Sequence, residues 1–326
     1  MKKVLALSLV AFMSLSATDL KIAGSSTMYP FTSFVAEEYA LIKNVKTPIV
    51  ESLGTGGGFK VFCEGITSIS NASRAIKSSE FEVCQNSGVK DILGVMIGYD
   101  GIVLAQNKIN IPLNITTEEL FLALAKEIPQ NGKLILNPYK NWNEINPNLP
   151  NRKITIYGPP SSSGTRDIIE ELIMIKNSKK FPEYKDKYKT IRQDGAYIPS
   201  GENDNLIISK LSVDKEAFGF FGYGFLVNNE DKINAVSIDN IQANNENISN
   251  GTYKLSRSLF IYVNAKNKDA IEFAKIYISD DLAKTGAELE KIGLVPLSDD
   301  MLKQMQKHVD DEKVLNQELV KAGKIF

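Results

Sequence analysis

The chain has 326 residues, of which 43% are hydrophobic and 24% charged, and its formal net charge is −1. This is the composition of an ordinary globular protein that is long enough for two domains. The sequence contains no block of basic residues, so it predicts no nucleic-acid partner.

The chain begins with the pattern of a secretory signal peptide at residues 1–17. Lys2 and Lys3 precede a short apolar run at 4–15, and small residues ending with Ala17 precede a polar pair. The run is too short to cross a bilayer as an anchor; a buried N-terminal helix is the alternative interpretation. No cysteine lies near the cleavage point. The sequence therefore predicts export to the periplasm without a lipid anchor.

Strands and helices alternate along the rest of the chain. Apolar and β-branched runs predict strands at 20–23, 47–53, 68–72, 92–106, 153–157, 217–226, 233–238 and 253–263. Helical spacing predicts helices at 31–39, 59–64, 116–126, 166–176, 204–211, 269–278, 282–292 and 299–309. Asp100-Gly101 predicts a bend in the long strand at 92–106, and the polar stretch at 310–324 predicts a solvated tail.

This alternation predicts an α/β fold with parallel sheets. The long apolar strands at 92–106 and 253–263 are suited to pass from one lobe to another. We therefore predict a discontinuous first lobe, residues 18–100 plus 258–326, with a second lobe at 101–257 inserted into it.

Cys63 and Cys84 are the two cysteines of the sequence, and His308 is its single histidine. Export permits disulfides, so we predict a Cys63–Cys84 bond; two free thiols are the alternative. Two cysteines and one histidine cannot form a structural zinc site. We accordingly expect no metal and no cofactor.

Four segments carry small hydroxyl residues and glycines where a predicted strand ends. They are Ser25-Ser26-Thr27, Thr55 within the glycine run 54–58, Ser73-Arg74, and the turn 161–166 with Ser163, Gly164, Thr165 and Arg166. Hydroxyls and free backbone N–H groups at helix starts bind oxyanions, and arginine adds two donors and a full charge.

Each segment taken alone has a simpler explanation. Ser-Ser-Thr before a helix is most often an N-cap, and the glycine run lacks the Gly-Lys-Ser/Thr ending of a Walker P-loop. However, open α/β sheets bind ligands at the carboxyl ends of their strands. Four such segments together predict one anion held between two lobes.

The sequence resembles the phosphate-binding component of the phosphate ABC transporter, the PstS family of periplasmic binding proteins. The matching stretches run from about residue 20 past residue 263 and are GSSTMYPF at 24–31, GTGGGFK at 54–60, ASRAI at 72–76, DGI at 100–102, SGTR at 163–166, GENDN at 201–205 and YKLSRSL at 253–259.

The resemblance implies a type II periplasmic binding protein fold, with two α/β domains joined by two crossover strands and closing on a dehydrated phosphate. It also implies a monomeric, non-enzymatic receptor that delivers inorganic phosphate to a membrane ABC permease complex. The resemblance places seven residues on phosphate: Thr27, Met28 through its N–H, Thr55, Ser73, Ser163, Gly164 and Thr165. Ser26, Arg74 and Arg166 of the same motifs are further candidate phosphate ligands.

One position departs from the family pattern. In the best-known members an aspartate follows the serine that matches Ser73 and accepts the proton of hydrogen phosphate, whereas this chain has Arg74. Asp100, Asp167 or Asp204 is a candidate for that acceptor. Without an acceptor, sulfate would fit the same donors, so a receptor for sulfate, molybdate or tungstate is the second hypothesis.

A periplasmic phosphoester hydrolase with a serine nucleophile is the third hypothesis. A Ser–His triad needs a positioned histidine, and the sequence offers His308 alone, near its C-terminal end. The sequence also lacks a Gly-x-Ser-x-Gly elbow. These observations favour a binding protein over an enzyme.

Overall fold

The computed structural model describes residues 20–161, 163–201 and 204–326, with the backbone but not the side chain of Asp204. The predicted signal peptide at 1–17 lies outside the described residues. Strands and helices alternate through most of the described chain, so the α/β prediction is confirmed.

The strands of the described chain are short, with two exceptions, β4 and β13. They are β1 (Lys21–Gly24), β2 (Ile49–Ser52), β3 (Ile69–Ala72), β4 (Ile92–Asn107), β5 (Asn114–Ile115), β6 (Glu127–Gln130), β7 (Lys133–Leu136), β8 (Ile156–Gly158), β9 (Tyr197–Pro199), β10 (Phe218–Gly222), β11 (Ile233–Ala235), β12 (Ser237–Ile238) and β13 (Ser256–Asn264).

The helices are α1 (Tyr29–Lys43), α2 (Gly54–Cys63), α3 (Ser78–Asn86), α4 (Thr117–Leu124), α5 (Trp142–Ile145), α6 (Gly164–Ile168), α7 (Lys176–Ser178), α8 (Asp204–Val213), α9 (Tyr223–Val227), α10 (Asn245–Ser249), α11 (Lys268–Tyr277), α12 (Asp280–Ala283), α13 (Glu288–Lys291), α14 (Asp299–Asp310) and α15 (Gln317–Lys321). A π-helical segment, Ile169–Ile175, joins α6 to α7, and Pro182–Tyr184 forms a 3-10 turn.

One sheet runs through the molecule in the order β2-β1-β3-β13-β4-β10-β8-β9, and β11 also pairs with β4. Strand β1 pairs in parallel with both β2 and β3. Strand β13 is antiparallel to β3 and to β4. Because β1, β2 and β3 are parallel neighbours, the turns that follow them meet at one edge of the sheet.

Strand β4 is continuous, so the bend predicted at Asp100-Gly101 is wrong. Asp100 pairs with Arg257 and Gly101 with Ser256, which keeps the ladder regular at this point. The irregularity lies instead between Leu259 and Phe260, opposite Gly98. At Gly98 φ is +153°, and a Cβ would lie 2.7 Å from the Val295 carbonyl oxygen.

Buried side chains form separate cores on the two sides of the register shift between β4 and β13. The first core draws on residues 20–97 and 259–325, and the second on 102–255 plus Val295. Along β4, Ile102 and Leu104 face the second core, whereas Val103 and Ala105 face a further buried cluster on the opposite side of the sheet. This alternation follows from the period-two geometry of a strand covered on both faces.

The end of the chain differs from its predicted solvated tail. Within residues 310–324, Leu315 and Val320 are buried in the first core, because the apolar residues of this otherwise polar stretch pack inward. The stretch predicted as a strand at 217–226 also divides into β10 and α9.

A disulfide joins Cys63 of α2 to Cys84 of α3, and the predicted pairing is confirmed. Both residues are buried in the first core. Within the described part of the chain, no helix is long and apolar enough to span a membrane.

Candidate functional site

The turns after β1, β2 and β3 pack closely at the carboxyl edge of the sheet. The backbone N–H of Ser25 donates to the Asn71 carbonyl at 3.0 Å, and that of Leu53 donates to the Gly24 carbonyl at 2.9 Å. A Cβ on Gly58 would lie 2.5 Å from the Gly24 Cα. The glycine run therefore lets α2 approach the end of β1, which the sequence alone could not distinguish from an ordinary turn.

Two of the predicted hydroxyls, those of Thr55 and Ser73, lie side by side on this edge. Their oxygens are 3.0 Å apart, and the Ser73 N–H donates to the Thr55 Oγ1 at 3.2 Å. Met28 is fully buried, and its N–H donates to the Ser25 carbonyl at 3.1 Å. Thr55, Ser73 and Met28, which belong to the predicted phosphate ligands, are thus already hydrogen-bonded to other groups of the protein.

The serine-rich turn after β8 meets the first core at Thr27. Ser163 caps α6, accepting from the Thr165 N–H at 3.2 Å. A Cβ on Gly164 would lie 2.5 Å from the Thr27 nitrogen, so glycine is required for this approach. The Ser26 hydroxyl donates to Asp167 at 3.3 Å. Segments more than a hundred residues apart in sequence therefore meet at one point.

Arg257, in the first half of β13, connects all parts of this junction. Its guanidinium donates to the Thr27 Oγ1 at 2.6 Å, to the Gly164 carbonyl at 3.4 Å and to Glu171 at 2.9 Å. The Asp100 carboxylate lies 3.7 Å away at ion-pair distance, and only 8% of the Arg257 side chain is exposed. Sequence reasoning gave Arg257 no role, although it lies in the matching stretch 253–259.

Asp100 and Asp167 are the two described candidates for a proton acceptor. Burial raises the pKa of the Asp100 carboxyl, and Arg257 opposes the shift. Burial also raises the pKa of Asp167, opposed by Arg257 and the Ser26 hydroxyl. Among the described residues, nothing hydrogen-bonds to the Asp100 Oδ2. The side chain of Asp204 lies outside the described atoms.

Arg74 and Arg166 are each paired with a carboxylate of their own region. Arg74 makes two hydrogen bonds to Glu80, at 2.7 and 2.8 Å, and its guanidinium lies over the Phe59 ring. Arg166 pairs with Glu170 at 3.3 Å and lies over the ring of Tyr197.

A cavity of about 480 Å³ opens beside the junction. Its polar lining consists of Ser26, Thr27, Ser52, Asp100, Ser163, Gly164 and Thr165, and its apolar rim includes Tyr29, Pro30, Phe31, Phe225 and Ile292. Met28, Thr55, Ser73, Arg74 and Arg166 do not line it, and Arg257 reaches its edge only through Thr27 and Gly164. The structure therefore brings together part of the predicted set and places the two predicted arginines elsewhere.

The single histidine of the sequence does not belong to this site. His308 is buried in the first-core region, and its Nε2 lies 3.0 Å from the Gly94 carbonyl oxygen, away from the serines of the cavity. No group of three or more His, Cys, Asp or Glu suited to a metal ion occurs within the described residues.

The PBP superfamily domain matches residues 14–281. The protein SphX of Synechococcus elongatus is 32% identical over 84% of this chain and 76% of its own length. The phosphate-binding protein PstS of Staphylococcus epidermidis is 35% identical over 79% of this chain and 74% of its own length.

A solved structure of a "possible phosphate binding protein" from Planctomyces limnophilus superposes with a TM-score of 0.73 at 26% identity, covering 91% of this chain and 99% of that one. The two-lobed periplasmic binding protein fold predicted from the sequence is thereby confirmed. The chain belongs to the PstS family of phosphate-binding proteins within the PBP superfamily. This is a family of substrate-binding transport proteins and not of enzymes.

Proposed function

We propose that this protein is a periplasmic receptor that captures inorganic phosphate between its two lobes and delivers it to a membrane ABC permease. The observation that carries the proposal is the meeting of Thr27, Gly164 and Arg257 beside a hydroxyl-lined cavity. The lobes are residues 18–100 plus 258–326 and residues 101–257. The receptor acts as an exported monomer.

Phosphate oxygens are bound by hydroxyl and N–H donors from both lobes. Ser26 and Thr27 supply donors from the first lobe, and Ser163, Gly164 and Thr165 supply them from the second, whereas the Met28 N–H is engaged by the Ser25 carbonyl. The Thr55–Ser73 hydroxyl pair extends the set along the same sheet edge. Since a buried dianion needs nearly all its lone pairs satisfied, such a dense donor array suits it.

Arg257 supplies the positive charge. The formal net charge of the whole chain is −1, so overall charge does not attract an anion and the site must do so locally. The Arg257 guanidinium already donates to Thr27 of the first lobe and Gly164 of the second, two residues that line the cavity. Arg74 and Arg166, each bound to a carboxylate of its own region, hold the shapes of their turns.

Asp100 accepts the ligand proton. Its carboxylate lines the cavity, and its buried Oδ2 lies 3.7 Å from the Arg257 Nε. Hydrogen phosphate can donate one proton to this carboxylate, whereas sulfate carries none at neutral pH and would face it with unshielded negative charge. Asp167, bonded to Ser26, is the alternative acceptor.

A receptor for another tetrahedral oxyanion remains the competing function. The observation in its favour is Arg74, which stands where the best-known family members have the accepting aspartate. Titration calorimetry of ligand-stripped protein decides between the two. We expect phosphate to bind at micromolar concentrations or below and to resist competition by sulfate, molybdate and tungstate; a tighter complex with one of these would refute the phosphate proposal.

We propose no catalytic role for the cavity serines. His308, the histidine that a Ser–His pair would need, is bound in the first lobe at the Gly94 carbonyl. A phosphoester assay with wild-type protein and Ser163→Ala tests this point. Turnover by wild type that is lost in Ser163→Ala would revive the hydrolase hypothesis.

A further inference from the structure

Besides the polar junction, the lobes touch where two glycines meet. Gly224 lies in α9 of the second lobe, and Gly293 follows α13 of the first. A Cβ on Gly224 would lie 2.7 Å from the Gly293 Cα, with the Gly293 carbonyl carbon and nitrogen at 3.5 and 3.6 Å. These are backbone atoms, which cannot turn aside as the end of a flexible side chain can.

This contact forms part of the wall of the proposed phosphate cavity. Gly222, Phe225, Ile292 and Gly293 line the cavity on this side. A second cavity of about 210 Å³, lined partly by Tyr223, Gly224 and Leu294, lies beyond the contact. The two glycines thus stand between the ligand space and a neighbouring cavity, at a place where the backbones of both lobes approach.

The loop that carries Gly293 is fixed to the crossover strand β4. The Val295 N–H donates to the Tyr99 carbonyl at 3.0 Å, and the Tyr99 N–H donates to the Val295 carbonyl at 2.8 Å. The loop therefore cannot withdraw without breaking its pairing with β4. A side chain at position 224 would therefore have to push α9 away from this loop, and with α9 the part of the second lobe that it belongs to.

We propose that Gly224 is a positioning residue for ligand capture, because its contact with Gly293 sets how far the lobes close. Gly224 touches no ligand donor in this proposal and acts through the distance between Thr27 and Gly164. The inference rests on the proposed function, since it concerns closure around phosphate.

The test substitutes Gly224→Ala in the full exported chain and measures phosphate binding by calorimetry and the radius of gyration by X-ray scattering. Overpacking at this contact should raise the phosphate Kd about tenfold or more, equivalent to about 1.4 kcal/mol. The variant should also contract less than wild type on phosphate addition. Val227→Ala is the matched control, because Val227 lies in the same helix and is 49% exposed.

Folding is monitored by thermal unfolding without ligand. Alanine is a better helix former than glycine, so Gly224→Ala should unfold at or above the wild-type temperature while binding more weakly; a merely structural defect would lower both. Equal affinity and equal contraction in Gly224→Ala and wild type would overturn the inference while leaving phosphate binding intact.

A measurement on the unmodified chain covers the case in which the variant does not fold. Hydrogen exchange of residues 222–228 and 292–294 should slow when phosphate is added, because the two segments meet on closure. Unchanged exchange in both segments would overturn the inference. Failure of wild-type protein to bind phosphate at all would refute the proposed function and this inference together.

Discussion

Arg257 and Arg166 lie near the same serine-rich turn, yet their contacts differ in reach. Arg166 pairs with Glu170 on the helical segment that follows its own and packs over Tyr197 of the same lobe. Arg257, on a crossover strand, contacts Thr27 of one lobe and Gly164 of the other. An arginine confined to one lobe can shape a turn, whereas an arginine that reaches both can couple anion capture to closure.

Among the variants that test this difference, Arg257→Ala is expected to weaken phosphate binding most. Truncating a buried charged partner typically costs several kcal/mol, so the phosphate Kd should rise roughly a hundredfold. Calorimetry on ligand-stripped protein measures it, with Lys254→Ala as an exposed cationic control from the same segment. Wild-type affinity in Arg257→Ala would show that another group supplies the charge.

Asp100→Asn tests the proposed proton acceptor while leaving the charge of Arg257 in place. The variant should lose about tenfold in phosphate affinity, since one charge-assisted hydrogen bond disappears, and should gain in sulfate binding. Competition titrations with both anions give the selectivity ratio. An unchanged ratio would exclude Asp100 as the acceptor and direct attention to Asp167.

The same carboxyl gives a pH signature in the ligand-free protein. Burial raises the folded-state pKa of Asp100 above its ordinary value of 3.8. Between pH 3.8 and the folded-state pKa, Asp100 keeps its proton in the native state but has lost it in the unfolded state. The contribution of Asp100 to the free energy of unfolding is therefore complete below pH 3.8 and is lost as the pH rises through the folded-state pKa. Denaturant unfolding across this range should show a slope that Asp100→Asn flattens; identical slopes would contradict it.

Arg166→Ala should affect phosphate affinity much less than Arg257→Ala. Its partners Glu170 and Tyr197 lie within one lobe, so we expect a rise in Kd of no more than about fivefold, corresponding to about 1 kcal/mol for a disturbed turn. Calorimetry under the same conditions measures it. A loss as large as that of Arg257→Ala would mean that the Arg166 side chain reaches the ligand after all.

Arg74→Ala should leave affinity nearly unchanged and lower stability instead. Its two hydrogen bonds to Glu80 join the end of β3 to the start of α3, and losing a charge-assisted pair should reduce the free energy of unfolding by about 1–2 kcal/mol. Urea unfolding measures the change, and Arg74→Lys should recover part of it. An affinity loss without a stability loss would reverse this assignment.

Local patterns were enough to predict the framework of the molecule. The alternation of apolar strands and amphipathic helices predicted the α/β fold, and the length of the 92–106 run predicted a strand shared by both lobes. The Cys63–Cys84 bond followed from the export pattern at the start of the chain. These properties depend on composition and periodicity, which are visible without knowledge of tertiary contacts.

The partners of charged side chains were not visible in the same way. Arg74 and Arg166 have the residue type and motif position of anion ligands, and only the folded structure shows the carboxylates that hold them. Arg257 meets Asp100, 157 residues away in sequence, through the register of β13 against β4, which no local pattern specifies. The buried tail at Leu315 and Val320 was missed because isolated apolar residues among charges give no periodic signal.

The Cys63–Cys84 bond has a consequence for the architecture of the ligand edge. Helix α2 starts beside Thr55, and helix α3 carries the Glu80 that holds Arg74, next to Ser73. The covalent brace between the two helices fixes the spacing of these neighbouring turns independently of pH or ionic strength. Reduction should therefore loosen the turns that carry Thr55 and Ser73 before it unfolds the lobe.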